Sequence, residues 1–410
     1  MEKLFKRENY LKKIRGFYHD TEVIKVITGV RRCGKSSLME IVKSELTDSG
    51  IPEANIIYLD MDSRKYRKIK TEDEFEKLIE SFATAEGIKY LFVDEIQNVS
   101  GFEEVINAFR GEGDYSIFIT GSNSYLLSGE LATKLTGRYI EFEMFTLSFE
   151  EYLEMKQFYG QDTNPNLLIE LNNYLLEGGF PKTIQYSSLA DKRTYVRSVI
   201  DEIFEKDIRQ RVKIRNKEVF ENIRSYILNN YGATTSINNL LADLSKNGLN
   251  IKRETLNRYI KALTDAKILY ECDRFDLKSR RSIAGEKKYY LADTSFYFAC
   301  NTDNRINFGP ALENIVYIYA RSKDYMVSIG RIGKLECDFI LRDSNLNYSY
   351  VQVAYTINES KVTEDREYSP LEKIRDNYPK YVMTTDYILQ NRNGIKHVNL
   401  MEFIKEDKMF

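Results

Sequence analysis

The chain has 410 residues, of which 42% are apolar and 30% charged, and its net charge is −2. This is too long for one core, so about two to four domains are expected. The charge balance excludes a globally basic nucleic-acid binder and leaves only a local patch for that role. The four cysteines, Cys33, Cys272, Cys300 and Cys337, are scattered without metal-ligand spacing, and His19 and His397 stand in unrelated contexts. Neither a structural zinc site nor histidine-based acid–base catalysis is expected. The N-terminus lacks an apolar signal core, and no apolar run approaches membrane-spanning length. A cytoplasmic protein with reduced thiols and no membrane partner is expected.

In chain order, residues up to Asp20 read as a short amphipathic helix with Tyr10, Leu11, Ile14 and Phe17 on one face. Val23-Ile24-Lys25-Val26-Ile27-Thr28 is a β-branched run and reads as a buried strand. It leads into Gly29-Val30-Arg31-Arg32-Cys33-Gly34-Lys35-Ser36, which fits the phosphate-binding pattern G-x-x-x-x-G-K-[ST]. Apolar residues at helical spacing follow, so the motif sits between strand and helix. Gly29 and Gly34 let the backbone curl so that N–H groups face phosphate oxygens, and the helix N-terminus adds partial positive charge. The loop from Gly29 through Arg31, Arg32, Cys33, Gly34 and Lys35 to Ser36 and Ser37 is therefore expected to hold ATP. Lys35 is expected on the β- and γ-phosphates, and the Ser36 hydroxyl on Mg2+.

A second strand is expected at 55–60, a helix over 72–83, and a strand at 90–93 that ends in Asp94-Glu95. Asp94 would hold the magnesium, usually through water, and Glu95 would polarise the attacking water. A helix over 102–110 and a strand at 116–120 follow, the latter running into Gly121-Ser122-Asn123. Asn123, or Ser122 beside it, is expected to bond the γ-phosphate or the lytic water. A helix over 126–135 and a last strand at 139–142 complete the alternation, which means a parallel sheet with right-handed crossovers. Ligands bind at the C-terminal strand ends of such sheets, where all these residues fall. Arg138, just before the last strand, is placed to reach the nucleotide of an adjacent subunit and stabilise transition-state charge.

These motifs, in this order, resemble AAA-plus ATPases. The Arg31-Arg32 pair, Asp94-Glu95-Ile96-Gln97, Leu147-Ser148-Phe149 with Glu151-Tyr152-Leu153, and Gly178-Gly179-Phe180-Pro181 narrow the likeness. They are similar to a large bacterial and archaeal group whose members carry a C-terminal domain like that of restriction nucleases. The resemblance implies that the helical region of 146–215 is the lid that follows an AAA-plus core. Lys182, Arg193 or Arg197 would then be its nucleotide-sensing charge.

Residues 216–292 read as helix–turn–helix plus hairpin, a winged helix. The outward face of its second helix carries Lys252, Arg253, Asn257, Arg258 and Lys261. The hairpin offers Lys278, Arg280, Arg281, Lys287 and Lys288. Both sets suit DNA phosphates, and a winged helix also serves protein contact. In 293–410, a helix carrying Glu313, a strand carrying Asp338 and a strand ending Gln352-Val353-Ala354 resemble the restriction-endonuclease core. Glu313, Asp338 and Gln352 match its acidic and amide positions, but its lysine position is Ala354. The resemblance thus implies a degenerate nuclease.

The expected architecture is α/β, with a P-loop NTPase parallel sheet over 1–145, the lid, the winged helix and the C-terminal α/β nuclease-like domain. The expected function is a magnesium-dependent ATPase, homo-oligomeric through its core, that couples hydrolysis to binding or remodelling of DNA. The alternative is a nucleotide-dependent switch in signalling or defence acting on a protein partner.

Overall fold

In the computed structural model, which describes residues 4–121, 137–246, 248–279, 281–301 and 305–410, strand β1 (Ile24–Gly29) is buried along its whole length. It is an inner strand of one sheet with β2 (Ile56–Asp60), β3 (Lys89–Asp94), β4 (Tyr115–Thr120) and β5 (Tyr139–Met144). The order is β2-β3-β4-β1-β5 and every pairing is parallel, as the strand–helix alternation requires. Helices α1 (Glu8–Ile14), α2 (Lys35–Asp48), α3 (Glu72–Phe82) and α4 (Phe102–Glu112) accompany these strands. A capping box between Thr71 and Glu74 starts α3. Phe75 and Ile79 of α3 join Ile106 and Phe109 of α4 and the inner strands in one core. The expected helix over 126–135 lies outside the described residues.

These elements form one compact unit, Met1–Met144 with Asp265–Lys267; the second comprises Phe145–Thr264 and Ile268–Phe410. The second unit opens with α5 (Phe149–Phe158), α6 (Leu167–Glu177) and α7 (Leu189–Glu202), the last continuing as a π-helical turn, Ile203–Ile208. Between α6 and α7, Gly178 and Gly179 receive the buried Asp293. The Gly179 N–H donates to the Asp293 carboxylate at 2.8 Å. A Cβ on Gly178 would stand 2.0 Å from that carboxylate. The two glycines thus serve a close approach as well as a turn.

Helices α8 (Lys217–Asn229), α9 (Ile237–Lys246) and α10 (Arg253–Asp265) fall where the helix–turn–helix was expected. The hairpin after them differs. Its strands, β7 (Leu269–Asp276) and β8 (Arg281–Leu291), are longer than the short segments 268–270 and 288–291 that the sequence implies. They join the C-terminal strands in one sheet. With β6 (Thr234–Thr235), β9 (Met326–Ile332), β10 (Leu335–Arg342), β11 (Tyr348–Val353), β12 (Lys380–Thr384) and β13 (Lys396–Asn399), the order is β13-β12-β11-β10-β9-β7-β8-β6. The junction is a parallel pairing of β7 on β9, Arg274 to Ile329 through Asp276 to Arg331. The expected boundary between 292 and 293 therefore separates strands that share a sheet. Polar residues such as Arg274 and Asp276 hid this extension, because their backbone pairs in the sheet while their side chains interrupt the apolar run.

Helices α11 (Ser295–Cys300), α12 (Phe308–Ser322), α13 (Lys361–Glu372) and α14 (Leu400–Lys405) complete the unit. Helix α13 starts at Lys361. The Ser360 hydroxyl caps it by accepting from the Thr363 N–H. Among the described residues no helix is long and apolar enough to cross a membrane.

Candidate active site

The P-loop is built by local necessity. Gly29 ends β1 with φ 145°, and a Cβ there would stand 2.1 Å from the Met144 carbonyl oxygen. Gly34 takes φ 111° at the start of α2. Arg32, between them, holds φ 68°, a conformation costly for a side-chain-bearing residue. The Arg7 guanidinium donates to the Cys33 carbonyl at 3.1 Å and so props the loop from α1. Nothing in the sequence pattern singles Arg7 out.

Lys35 is buried, and its ammonium donates to the Gly29 and Val30 carbonyls at 3.0 and 3.2 Å. It therefore lies folded along the inside of the loop that phosphate would enter. Ser36 and Ser37 follow in the first turn of α2, whose N–H groups and dipole favour an anion. Cys33 is buried, with its Sγ 3.5 Å from the Met144 carbonyl. It is a packing residue of the loop and offers only its backbone to a ligand.

Register brings the second half of the site alongside. β3 pairs with β4, Val93 opposite Ile119, and β4 pairs with β1, Thr120 opposite Ile27. The Thr120 hydroxyl consequently donates to an Asp94 carboxylate oxygen and accepts the Glu95 N–H at 3.1 Å. One hydroxyl thus orients both consecutive acids. Sequence reasoning looked one step further along, to Ser122 and Asn123, which lie outside the described residues. The available signal for Thr120 was its place as the last residue of a buried strand.

Glu95 takes φ 52°, a second strained position at the same site. Gln97 donates to its carboxylate, and the buried Arg31 guanidinium lies 3.8 Å away. Burial pushes the Glu95 carboxyl above the usual carboxylate range, against the opposing pull of Lys35 and Arg31. The arrangement can cradle a polyphosphate, supply Ser36 and Asp94 oxygens to a magnesium ion, and present a carboxylate to water. The donor set fits both groups: hard oxygens for magnesium, and backbone N–H groups with an ammonium for phosphate. Arg138 is exposed and donates to the Asn107 side chain of α4 at 2.9 Å.

In the second unit, Lys252 just before α10 and Arg253, Asn257, Arg258 and Lys261 on it are all exposed, and the helix turns Leu256, Tyr259, Ile260 and Leu263 inward. Arg253 donates to Asn238 of α9 at 3.2 Å. Arg281 is exposed, and Arg280 lies outside the described residues. Lys288 departs from expectation. It is buried, and its ammonium meets Glu313 and Glu336 at 3.0 Å each, so it offers nothing to DNA. The reason is the period-two alternation of β8. Lys287 points outward to Asp273, at 3.2 Å, whereas Lys288 and Tyr290 point inward to Glu313.

Glu313, Asp338, Gln352 and Ala354 come together on one cavity of about 460 Å³. Asp338 accepts the Val353 N–H at 2.8 Å, and Gln352 donates to Glu367 at 2.9 Å. Burial raises the carboxyls of both Glu313 and Asp338, with the neighbouring Glu313 charge adding to the latter. Ala354 supplies no cation, but Lys288, distant in sequence, does. Burial opposes the charge of Lys288, and Glu313, Asp338 and Glu336 outweigh it, so its affinity for the proton rises. No spacing rule links residue 288 to residue 313, which is why sequence reasoning missed this lysine.

Comparison with known proteins bears on the first unit most directly. A family model described as an AAA domain matches residues 21–153, and a second, a domain of unknown function, matches residues 168–305. An uncharacterized protein of Haemophilus influenzae is 32% identical over 407 residues, which covers 98% of each chain. An uncharacterized protein of Methanocaldococcus jannaschii is 29% identical over 360 residues, 85% of this chain and 78% of that one. Among solved structures, a Walker-type ATPase of Pyrococcus abyssi superposes with a TM-score of 0.51 at 17% identity, over 72% of this chain and 95% of that one. That likeness speaks for the fold.

Proposed function

The chain belongs to the same family as the Haemophilus influenzae protein and carries an AAA domain, and on that premise we propose that it is a magnesium-dependent ATPase. In this reading it oligomerises through its first unit and couples hydrolysis to binding or remodelling of DNA. The observation that carries the ATPase part is the Thr120 hydroxyl bound at once to Asp94 and to the Glu95 N–H beside the P-loop.

Lys35 exchanges its two loop carbonyls for phosphate oxygens, and the N–H groups at the start of α2 hold the rest of the polyphosphate. Ser36 and Asp94 would hold the magnesium, and the ion would supply positive charge beside the phosphates. Glu95 turns to the attacking water and accepts its proton. A carboxyl already raised by burial is a better base for that task than an exposed one. Arg138 of a neighbouring subunit is assigned to the γ-phosphate in the transition state. The DNA part of the proposal rests on the exposed basic face of α10.

One observation favours a second reading, a slow nucleotide-dependent switch acting on a protein partner. Glu95 is tied by Gln97 and faced by Arg31, so it must be released before it can serve. ATPase rates measured with and without single-stranded, duplex and branched DNA, at two salt concentrations, separate the two. DNA coupling expects a rise at low salt that fades at high salt. A rate indifferent to every DNA would leave the switch.

A further inference from the structure

The sheet of the second unit carries a groove that neither the nucleotide site nor the basic helix uses. It encloses about 770 Å³ between the β7–β8 turn, the β9–β10 turn, β11 and the segment after α13. That is within the ~300–1,000 Å³ of sites that enclose small organic ligands. Its floor is apolar and aromatic. Phe275, Ile332, Tyr348 and Ile374 are only partly buried against the core below. Tyr378 is 37% exposed and stands edge-on to Tyr348, ring centres 5.5 Å apart. Tyr350 lies beneath, 2% exposed, and is out of reach of a ligand.

The rim is cationic. Lys278, Lys334, Lys373 and Arg375 line the groove and are exposed, and none forms an ion pair among the described residues. The carboxylate in the groove, Asp376, is already committed. It accepts the Tyr350 hydroxyl at 2.6 Å and the Lys380 ammonium at 3.1 Å. Four unpaired cations around accessible aromatic rings make a surface complementary to a polyanion with flat apolar faces.

We propose that this groove binds a short single-stranded stretch of nucleic acid, its bases against Tyr378 and Tyr348 and its phosphates on the four rim cations. A duplex keeps its bases stacked inside and presents only phosphate to a concave surface. Unstacked bases can enter and lie on aromatic rings. Stacking is tolerant of sequence, so the groove reads the single-stranded state. The proposal stands independently of the ATPase reading.

The test uses the full-length protein without ATP, with fluorescence anisotropy of labelled oligo-dT, oligo-rU and a duplex. Tyr378→Ala, an exposed position whose replacement leaves the core intact, should weaken single-strand binding about tenfold, and Tyr378→Phe should restore it. Lys334→Glu with Arg375→Glu should lower affinity and flatten the salt slope by about 1.4. Duplex affinity and DNA-free ATP hydrolysis should not change in either variant. Preference for dT over rU, or the reverse, identifies which nucleic acid fills the groove. Lys35→Ala should leave oligonucleotide binding intact, so a failed ATPase reading would appear separately. Single-strand binding indifferent to both groove variants overturns the proposal. So does competition by polyglutamate that Tyr378→Ala leaves untouched, which would assign the groove to an acidic protein.

Discussion

At Glu95 a half-buried carboxylate is shared between an amide, a guanidinium and, in the proposed reaction, a water. Its role separates from that of Lys35 by substitution. Lys35→Ala should lose nucleotide affinity, because it deletes the cation that meets phosphate. Glu95→Gln should bind ATP and lose turnover about a hundredfold or more, the usual worth of a positioned base. Nucleotide titration beside steady-state hydrolysis checks this, and equal loss of binding in both variants would reject the role given to Glu95. Lys288 makes a different residue-scale case. Removing one partner of a buried ion pair leaves the other charge unsolvated, so Lys288→Met should cost about 3–5 kcal/mol in urea unfolding. Adding Glu313→Gln should recover much of that loss. A single variant as stable as the parent would mean that Glu313 sheds its charge without penalty.

At the scale of elements, the N-terminal segment is bolted to the P-loop helix through one acid. Glu45 of α2 accepts Arg15 at 2.9 and 2.8 Å, Tyr18 at 2.9 Å and Lys6 at 3.1 Å. The Arg15 bonds first, then Lys6 and Tyr18, hold its carboxyl down to about 2 against the desolvation that would raise it. The folded state therefore releases this proton more readily than the unfolded chain. The stabilisation is whole above the ordinary carboxylate pKa and is lost as pH falls towards about 2. Thermal unfolding over that window should show Glu45→Gln with a shallower acid slope than the parent. Helix α10 is tested by charge reversal. Arg253→Glu, Arg258→Glu and Lys261→Glu together should leave the fold intact, since all three are exposed. Duplex affinity should fall, and the salt slope should flatten by about 2.7. Unchanged affinity would move the duplex contact off this helix.

At the scale of the whole molecule, the proposal requires more than one chain. Arg138 is exposed next to β5, and its bond to Asn107 can be exchanged for a phosphate. Such guanidinium fingers are worth about a thousandfold in turnover. Arg138→Ala should bind ATP and hydrolyse it that much more slowly, while Asn107→Ala should stay near the parent rate. Mixing Glu95→Gln subunits with Arg138→Ala subunits should restore part of the activity, because some interfaces then join both intact halves. Absence of recovery despite shown subunit exchange, or an Asn107→Ala defect equal to that of Arg138→Ala, would make Arg138 a structural residue of its own chain.

The parts legible in the sequence were those in which local chemistry decides. Gly29, Gly34 and Lys35 declare a phosphate loop, because few residue types tolerate its dihedrals and its charge. The run ending in Asp94-Glu95 declares a buried strand with two acids at its tip, and the parallel order follows from the alternation. Tertiary structure decided what depends on register between distant segments. Thr120 became the hydroxyl that joins Asp94 to Glu95 only because β4 lies between β1 and β3. Of the adjacent Lys287 and Lys288, pleating sent one to water and the other to Glu313. The same hairpin became part of the C-terminal sheet because β7 pairs with β9. Backbone hydrogen bonds between segments far apart in sequence leave no periodicity in either segment, so only the folded chain could bring those residues together.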